Sequence, residues 1–408
     1  MSRIHLVSVH GDTVQLGPVR VDPDDAHAII AGVNGSLLDG TYTVVWRVAA
    51  RDGHVSNGTF SFSVEKPIAS TIDTGAKAPA LMETTPRESD KTAMASMQHE
   101  DMQSTGIGGI LARLLGFVSI FLVVGAVTFV LVVLPGARAA GSEAFTHIAS
   151  TNAATLGMAA AMGALLSTLL KIISEFATMP DMGIGAMLFS SSWGWSVVIA
   201  ALAAVLAFAG FWRIHSATSS SRTNAWRVVL IAAIALVVTP AFGGHAISSD
   251  QAWIAVPADI VHLTAGSMWI GTLAVIVFVA ISACLKTPDG VRPGSRLAAL
   301  INAFSPLALI CGGSVVATGV AASVIHAPHF SSLLTSAFWT TPYGSALFRK
   351  LIFVVLLMFA GAWNWRRTKP RLGADDALVQ LRRSATVELL LAAIVLGLTA
   401  ILVALELP

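Results

Sequence analysis

Long apolar runs fill the chain beyond residue 106, and turn-forming or charged segments such as LPGARAAGSE, KTPDGVRPGSR and RRTKPRLGADD separate them. Each run is near the ~20 residues that a helix needs to cross ~30 Å of hydrocarbon. The pattern therefore predicts eight transmembrane helices. Their approximate bounds are 109–134, 149–173, 193–212, 225–242, 255–283, 300–325, 346–365 and 384–405.

The region before these runs has a different pattern. In TYTVVWRVAA and GTFSFSV, β-branched and aromatic residues alternate with small polar ones, which predicts a β-hairpin within residues 1–66. Residues 67–106 are rich in Ser, Thr, Ala, Lys, Glu and Met without a sustained period, which is typical of a flexible linker. The predicted fold is mainly α, an eight-helix transmembrane bundle over 107–408 with a small N-terminal all-β domain.

Composition agrees with a membrane protein. Apolar residues make up 55% of the chain and charged residues only 12%, and the mean hydropathy is +0.74. Soluble domains carry about 25% charged residues. The net charge of +2 is too small to indicate a nucleic-acid partner. Cys284 and Cys311 fall in or beside apolar runs, so we interpret both as packing residues.

Basic residues mark one side of the predicted bundle, because Lys and Arg in short loops are retained on the cytoplasmic side. The first, third, fifth and seventh loops are basic, whereas the even loops carry almost no basic residue apart from Lys171. The odd-loop residues are Arg138; Arg213, Arg222 and Arg227; Lys286, Arg292 and Arg296; and Arg366, Arg367, Lys369, Arg371, Arg382 and Arg383. This predicts cytoplasmic odd loops, with both termini and the β domain on the outer side of the membrane.

The first residues, MSRIHLVSVHGDTV, lack the basic stretch and apolar core of a signal peptide. Export of the N-terminal region then requires that the first helix carries its own tail across, or that the natural chain begins further upstream. We expect the second.

The stretch GGHAISSDQAWIAVPADIVHLTAGSMWIG places three possible metal ligands together. His245 follows the fourth apolar run, and Asp259 and His262 share one face of the fifth at i and i+3. Ionisable groups inside a membrane are costly and usually line a pathway or site. One interpretation is a structural pair in which Asp259 fixes the tautomer of His262. The other is a metal site, formed if the fourth and fifth helices pack as antiparallel neighbours.

A second candidate lies in the linker, which contains MASMQHEDM. Met94, Met97, His99 and Met102 stand on a polar segment where thioethers have no core to fill. Thioether and imidazole ligands together select copper, especially Cu(I), although a chance cluster is the alternative.

Other charged residues in the apolar runs have structural interpretations. Lys350 and its neighbour Arg349 are expected to extend towards the membrane surface or to meet Glu406. Glu388 is expected to pair with Arg382 and Arg383.

Several of these fragments resemble a known family. YTVVWRVAARDGHVSNGTFSFSV resembles the C-terminal half of the CopC copper-binding domain, a small periplasmic β-barrel. The apolar runs resemble CopD, the membrane protein often fused to it, through five fragments in the same order. These are GGHA, the Asp-x-x-His run before SMWIG, FSPLAL with ATGV, TPYGSALFRKL and LRRSATVELLL. The resemblance identifies a CopC/CopD copper resistance fusion protein with a truncated CopC-like domain.

The resemblance implies copper handling at the cell envelope, with the CopD part moving copper across the inner membrane. In CopC a Cu(II) site combines an N-terminal histidine with the Asp and His of a DGH motif, which here are Asp52 and His54. This chain departs from the pattern, because DGHPVSG becomes DGHVSNG and the first half of the domain is missing. His5 and His10 do not stand at the place of the leading histidine, so a site with the remaining donors would be weak.

These observations leave three functional hypotheses. The first is a copper transport protein, in which the outer Met and His residues collect copper, as Cu(I) or Cu(II), and His245, Asp259 and His262 receive it. Its expected partners are the copper ion, the lipid bilayer and periplasmic copper carrier proteins. The second is a haem-carrying membrane redox protein, and the third is a copper sensor or storage scaffold. The sequence shows no arrangement of nucleophile and base, so we predict no enzymatic activity.

Overall fold

The structure is a computed structural model, which describes residues 3–8, 12–23, 25, 28–49, 55–64, 107–137, 142–178, 183–216, 219–243, 251–287, 290–325, 335–367 and 377–405. They divide into two compact units, within Met1–His99 and Glu100–Pro408.

The first unit is built from antiparallel β-strands. The strands are β1 Arg3–Ser8, β2 Thr13–Val14, β3 Arg20–Val21, β4 Ile29–Ile30, β5 Gly40–Ala49 and β6 Val55–Val64. One sheet has the order β2-β1-β5-β6, and β3 pairs with β4. The predicted hairpin is confirmed, since β5 and β6 pair along their whole length from Gly40 opposite Val64 to Ala49 opposite Val55.

Aromatic side chains pack across the two strands of the hairpin. Tyr42 is buried, stacks on Phe62 with ring centroids 5.8 Å apart, and donates its hydroxyl proton to the carbonyl of Leu38 at 3.0 Å. Trp46 lies opposite Gly58 in the register, where a Cβ atom would come within 2.6 Å of the indole. The absence of a side chain at Gly58 on β6 therefore leaves room for the indole ring of Trp46 on β5.

The second unit is helical. Its helices are α1 Ile107–Gly136, α2 Glu143–Thr178, α3 Ile184–Phe189, α4 Ser192–Ser216, α5 Ser219–Phe242, α6 Ala252–Lys286, α7 Pro293–Ile325, α8 Ser336–Thr340, α9 Pro342–Arg367 and α10 Ala377–Leu402. Within the described residues, eight of these helices are long and apolar enough to cross a membrane. The predicted fold class is confirmed: a bundle of apolar helices follows a small N-terminal β region.

Helix α6 lies at the centre of the bundle. Its most apolar window is 72% buried by other helices, whereas the corresponding window of α7 is 11% buried. It packs on α1 and α7 and also contacts α5, while α9 packs mainly on α10. The residues of α6 therefore face protein, and those of α7 and α9 face both protein and lipid.

A very close approach joins α6 to α1. A Cβ atom at Gly271 would overlap the carbonyl oxygen of Phe121, and a Cβ atom at Gly125 would overlap the backbone of Gly271. Gly271 ends a π-helical segment, Ser267–Gly271, which inserts an extra residue into the turn. Small residues at helix interfaces allow such contact inside a membrane.

A buried arginine holds the other end of α6. Arg296 is 1% exposed and donates to the carbonyl oxygens of Cys284 at 3.3 Å and Thr287 at 3.5 Å. Its guanidinium also lies over the ring of Phe145, 5.3 Å from the centroid. Arg296, which the sequence pattern counted among the basic residues of the fifth loop, therefore caps the last carbonyl groups of α6.

Gly271→Ala is expected to destabilise the bundle by roughly 1–3 kcal/mol, because the added methyl group forces α6 away from α1. Gly313→Ala is the matched control, since a Cβ atom at Gly313 meets open space. Thermal unfolding of both variants in detergent measures the difference. Equal unfolding temperatures would show that the α1–α6 contact is not tight.

Candidate metal site

His262 is the central residue of the candidate site. It lies in the N-terminal half of α6 and is half-buried. Its ring faces α7, where a Cβ atom at Gly319 would lie 3.6 Å from Cε1 of the imidazole. The absence of a side chain at Gly319 leaves a space of about one methyl group beside the ring.

Hydrogen bonds to α7 fix the tautomer of this imidazole. Thr318 donates its hydroxyl proton to the carbonyl of Ser314 at 2.7 Å, so its oxygen is left to accept a hydrogen bond. Nδ1 of His262 lies 2.9 Å from that oxygen, and the carbonyl of Val315 is a further acceptor for the ring. This pattern assigns the proton of the neutral ring to Nδ1. The lone pair of Nε2 is then available to bind a metal ion.

An acid and a base accompany this histidine. Asp259 lies one turn before His262 on the same face of α6 and is exposed. Lys350 of α9 interacts electrostatically with both residues. The predicted contact between Lys350 and Glu406 is not tested, since Glu406 lies outside the described residues. The contact of Nδ1 with Thr318 also means that this side of the imidazole is oriented by α7 and not by Asp259.

The other seven predicted ligands lie outside the described residues. They are His245, Asp52, His54, Met94, Met97, His99 and Met102. Helices α5 and α6 do contact one another, as the predicted convergence of His245 with the other two residues requires. Among the described residues, no three His, Cys, Asp or Glu side chains come close enough to hold a metal ion.

A second polar contact occurs deeper in the bundle. Glu388 of α10 is 6% exposed and accepts a hydrogen bond from the amide of Asn364 of α9. The predicted pairing of Glu388 with Arg382 and Arg383 is wrong, because both arginines are exposed and the carboxylate turns into the bundle.

Sequence reasoning did not single out Thr318 or Asn364. Thr318 lies in the family fragment ATGV, but that fragment assigned it no role. The remaining signal was the polarity of both residues within apolar runs, and threonine is common in membrane helices, where its hydroxyl bonds to its own backbone. The pairing of helices was needed to show that the hydroxyl of Thr318 meets an imidazole.

Comparison with known proteins follows the same division of the chain. A family model of the CopC domain matches residues 1–65, and a model described as Copper resistance protein D matches residues 298–402. Residues 1–65 are therefore similar to the CopC domain, and residues 298–402 are similar to the CopD family. The CopD match includes Thr318, Lys350, Asn364 and Glu388, whereas Asp259 and His262 precede it.

A curated relative supports this assignment. Copper transport protein CutJ of Bacillus subtilis (strain 168) is 24% identical over 370 residues, which cover 90% of this chain and 62% of that protein. The chain thus spans less than two thirds of the length of the relative. No solved structure matches the chain. Together with the eight apolar helices, these similarities relate the chain to copper resistance and copper transport proteins of the membrane.

If His262 binds copper, Thr318→Val is expected to weaken that binding, because it removes the hydroxyl group that orients the imidazole. Loss of such a second ligand shell typically lowers metal affinity about 10- to 100-fold. The measurement is the Cu(I) affinity of the detergent-solubilised protein, determined by competition with a chelating dye. Only the binding that is lost in His262→Ala is compared.

Thr318→Ser retains the hydroxyl and should retain the affinity. Ser323→Ala is the control, since the hydroxyl of Ser323 bonds to the carbonyl of Gly319 in its own helix at 2.9 Å. Unchanged affinity in Thr318→Val would exclude the proposed orientation of the ring.

Proposed function

We propose that the chain carries copper across the bacterial inner membrane, with His245, Asp259 and His262 as the receiving site. The observation that carries the proposal is the contact between Nδ1 of His262 and the hydroxyl oxygen of Thr318, at 2.9 Å, which leaves Nε2 as the ligand atom. A neutral imidazole inside a membrane bundle is a suitable ligand for a copper ion.

The charges around the histidine favour a monovalent ion. The carboxylate of Asp259 is balanced by the ammonium group of Lys350, so the three side chains together carry no net charge. An ion in a low-dielectric region is less costly when its charge is smaller. We therefore propose Cu(I) as the ion that enters the bundle.

The soft ligands of the linker supply the ion in this scheme. Met94, Met97, His99 and Met102 collect Cu(I) through thioether and imidazole groups. The weaker pair Asp52 and His54 binds Cu(II). Periplasmic copper carrier proteins are the proposed donors to both.

The proposed direction is import. The basic odd loops place both termini, His245 and the N-terminal end of α6 on the outer side. Ligands on the outer side would bind copper before it enters the membrane bundle. The given sequence contains no ATP-binding motif, and the proposed passage is either channel-like or driven by a gradient.

Copper uptake into proteoliposomes tests the proposal. Wild-type protein should raise copper inside the vesicle, read by a trapped chelating dye, and His262→Ala and His245→Ala should abolish the increase. His147→Ala is the matched control, because His147 is exposed near the start of α2. Copper that binds to the vesicle exterior without entering would favour a sensor or storage scaffold. A Soret band in the purified protein would favour haem binding instead.

Thiol labelling tests the orientation independently. A cysteine at Ser190 should react with an impermeant maleimide in intact spheroplasts, and a cysteine at Ser295 should react only after permeabilisation. Both positions are exposed, and the native Cys284 and Cys311 are buried and contribute little background. The reverse labelling pattern would invert the topology and make the proposed direction export.

A further inference from the structure

Glycines of two kinds occur in the bundle. At Gly125 and Gly271 a Cβ atom would overlap neighbouring backbone, so these glycines close a helix contact. At Gly312, Gly319 and Gly361 a Cβ atom would lie at ordinary van der Waals distance from its neighbours, 3.5 Å or more. The second kind leaves a space of about one methyl group beside each neighbouring side chain.

The spaces of the second kind follow one line through the bundle. His262 and Trp269 lie at i and i+7 on α6, and they face Gly319 and Gly312, which lie seven residues apart on α7. Because the two helices are antiparallel here, each step covers about 10 Å along the axis. The line therefore leads from the imidazole into the centre of the bundle.

Two possible metal ligands, the thioether of Met358 and the carboxylate of Glu388, lie in the region of Trp269. A Cβ atom at Gly312 would lie 3.8 Å from Cζ3 of the indole, 3.5 Å from Cε of Met358 and 3.9 Å from its Sδ. A Cβ atom at Gly361 would lie 3.8 Å from Cζ2 of the indole and 3.9 Å from Oε2 of Glu388. The thioether and the carboxylate thus each lie near a glycine whose Cβ position is in contact with the six-membered ring of Trp269.

The carboxylate at this position requires a neutralising partner. Glu388 is 6% exposed, and in the described part of the chain its hydrogen-bond partner is the neutral amide of Asn364, which binds Oε1. Asn364 orients the group without cancelling its charge. Charged side chains inside a membrane are rare and mark ion pathways, since only a proton or a cation removes the cost of the charge. Oε2 faces the space beside Gly361 and Trp269.

We propose that Met358 and Glu388 form a second metal site, which holds a monovalent copper ion after it leaves His262. The thioether selects a soft ion, and the carboxylate cancels its single charge. Trp269 lies two turns further along α6 than His262 and neighbours the glycines beside both ligands. This inference rests on the proposed function, because it extends the same route.

Binding stoichiometry tests the site directly. Ag(I), a redox-inert monovalent ion, is titrated into the full-length protein in detergent, and the ions bound per chain are counted. Met358→Leu removes the thioether with little change in volume, and Glu388→Gln removes the charge while retaining an amide that can bond to Asn364. Each variant should bind one ion fewer than the wild type. Met162→Leu and Glu143→Gln are the controls, since both side chains are exposed on α2.

Transport separates this inference from the function on which it rests. If wild-type vesicles take up copper, both variants should retain binding at His262 and lose uptake about tenfold or more. If wild-type vesicles do not transport copper but both variants still bind one ion fewer, the second site stands and the transport function fails. Unchanged stoichiometry in both variants would overturn the site, whatever the transport result. Equal unfolding temperatures of the variants and the wild type ensure that the loss is local.

Discussion

The contact between Gly125 and Gly271 is the constraint on which the rest of the membrane region depends. It brings α6 against α1 so closely that neither position accepts a side chain. With α1 on one side, the opposite face of α6 is directed towards α7 and α9, and this face carries His262 and Trp269. The π-helical turn Ser267–Gly271 contributes to both contacts. It ends at Gly271, which contacts α1, and it contains Trp269, which faces α7.

Polar side chains in the bundle are balanced in pairs that link different helices. Asp259 of α6 interacts with Lys350 of α9, His262 of α6 bonds to Thr318 of α7, and Asn364 of α9 bonds to Glu388 of α10. The first pair cancels its own charge and the second is neutral, so both are stable without an added ion. The third retains the charge of the carboxylate, so a proton or a metal ion bound there would remove the cost of that charge.

The sequence predicts the number of spans, because a run of about 20 apolar residues has few other stable structures. It also predicts the β5–β6 hairpin, since the alternation in TYTVVWRVAA and GTFSFSV has the period of a strand. Periodicity does not predict which helices pack together. The partner of Glu388 was consequently predicted from proximity along the chain, at Arg382 and Arg383, whereas the real partner Asn364 comes from another helix.

Two sites of different chemistry suit a transported ion better than one site of high affinity. Conduction requires binding that is favourable enough to accept the ion and weak enough to release it. His262 supplies one neutral nitrogen and Met358 one thioether, and each is fewer than the ligands of a permanent copper centre. The carboxylate of Glu388 then gives the second site the electrostatic attraction that the first lacks. An ion would move from a neutral ligand towards a charge in the low-dielectric interior, where that attraction is strongest.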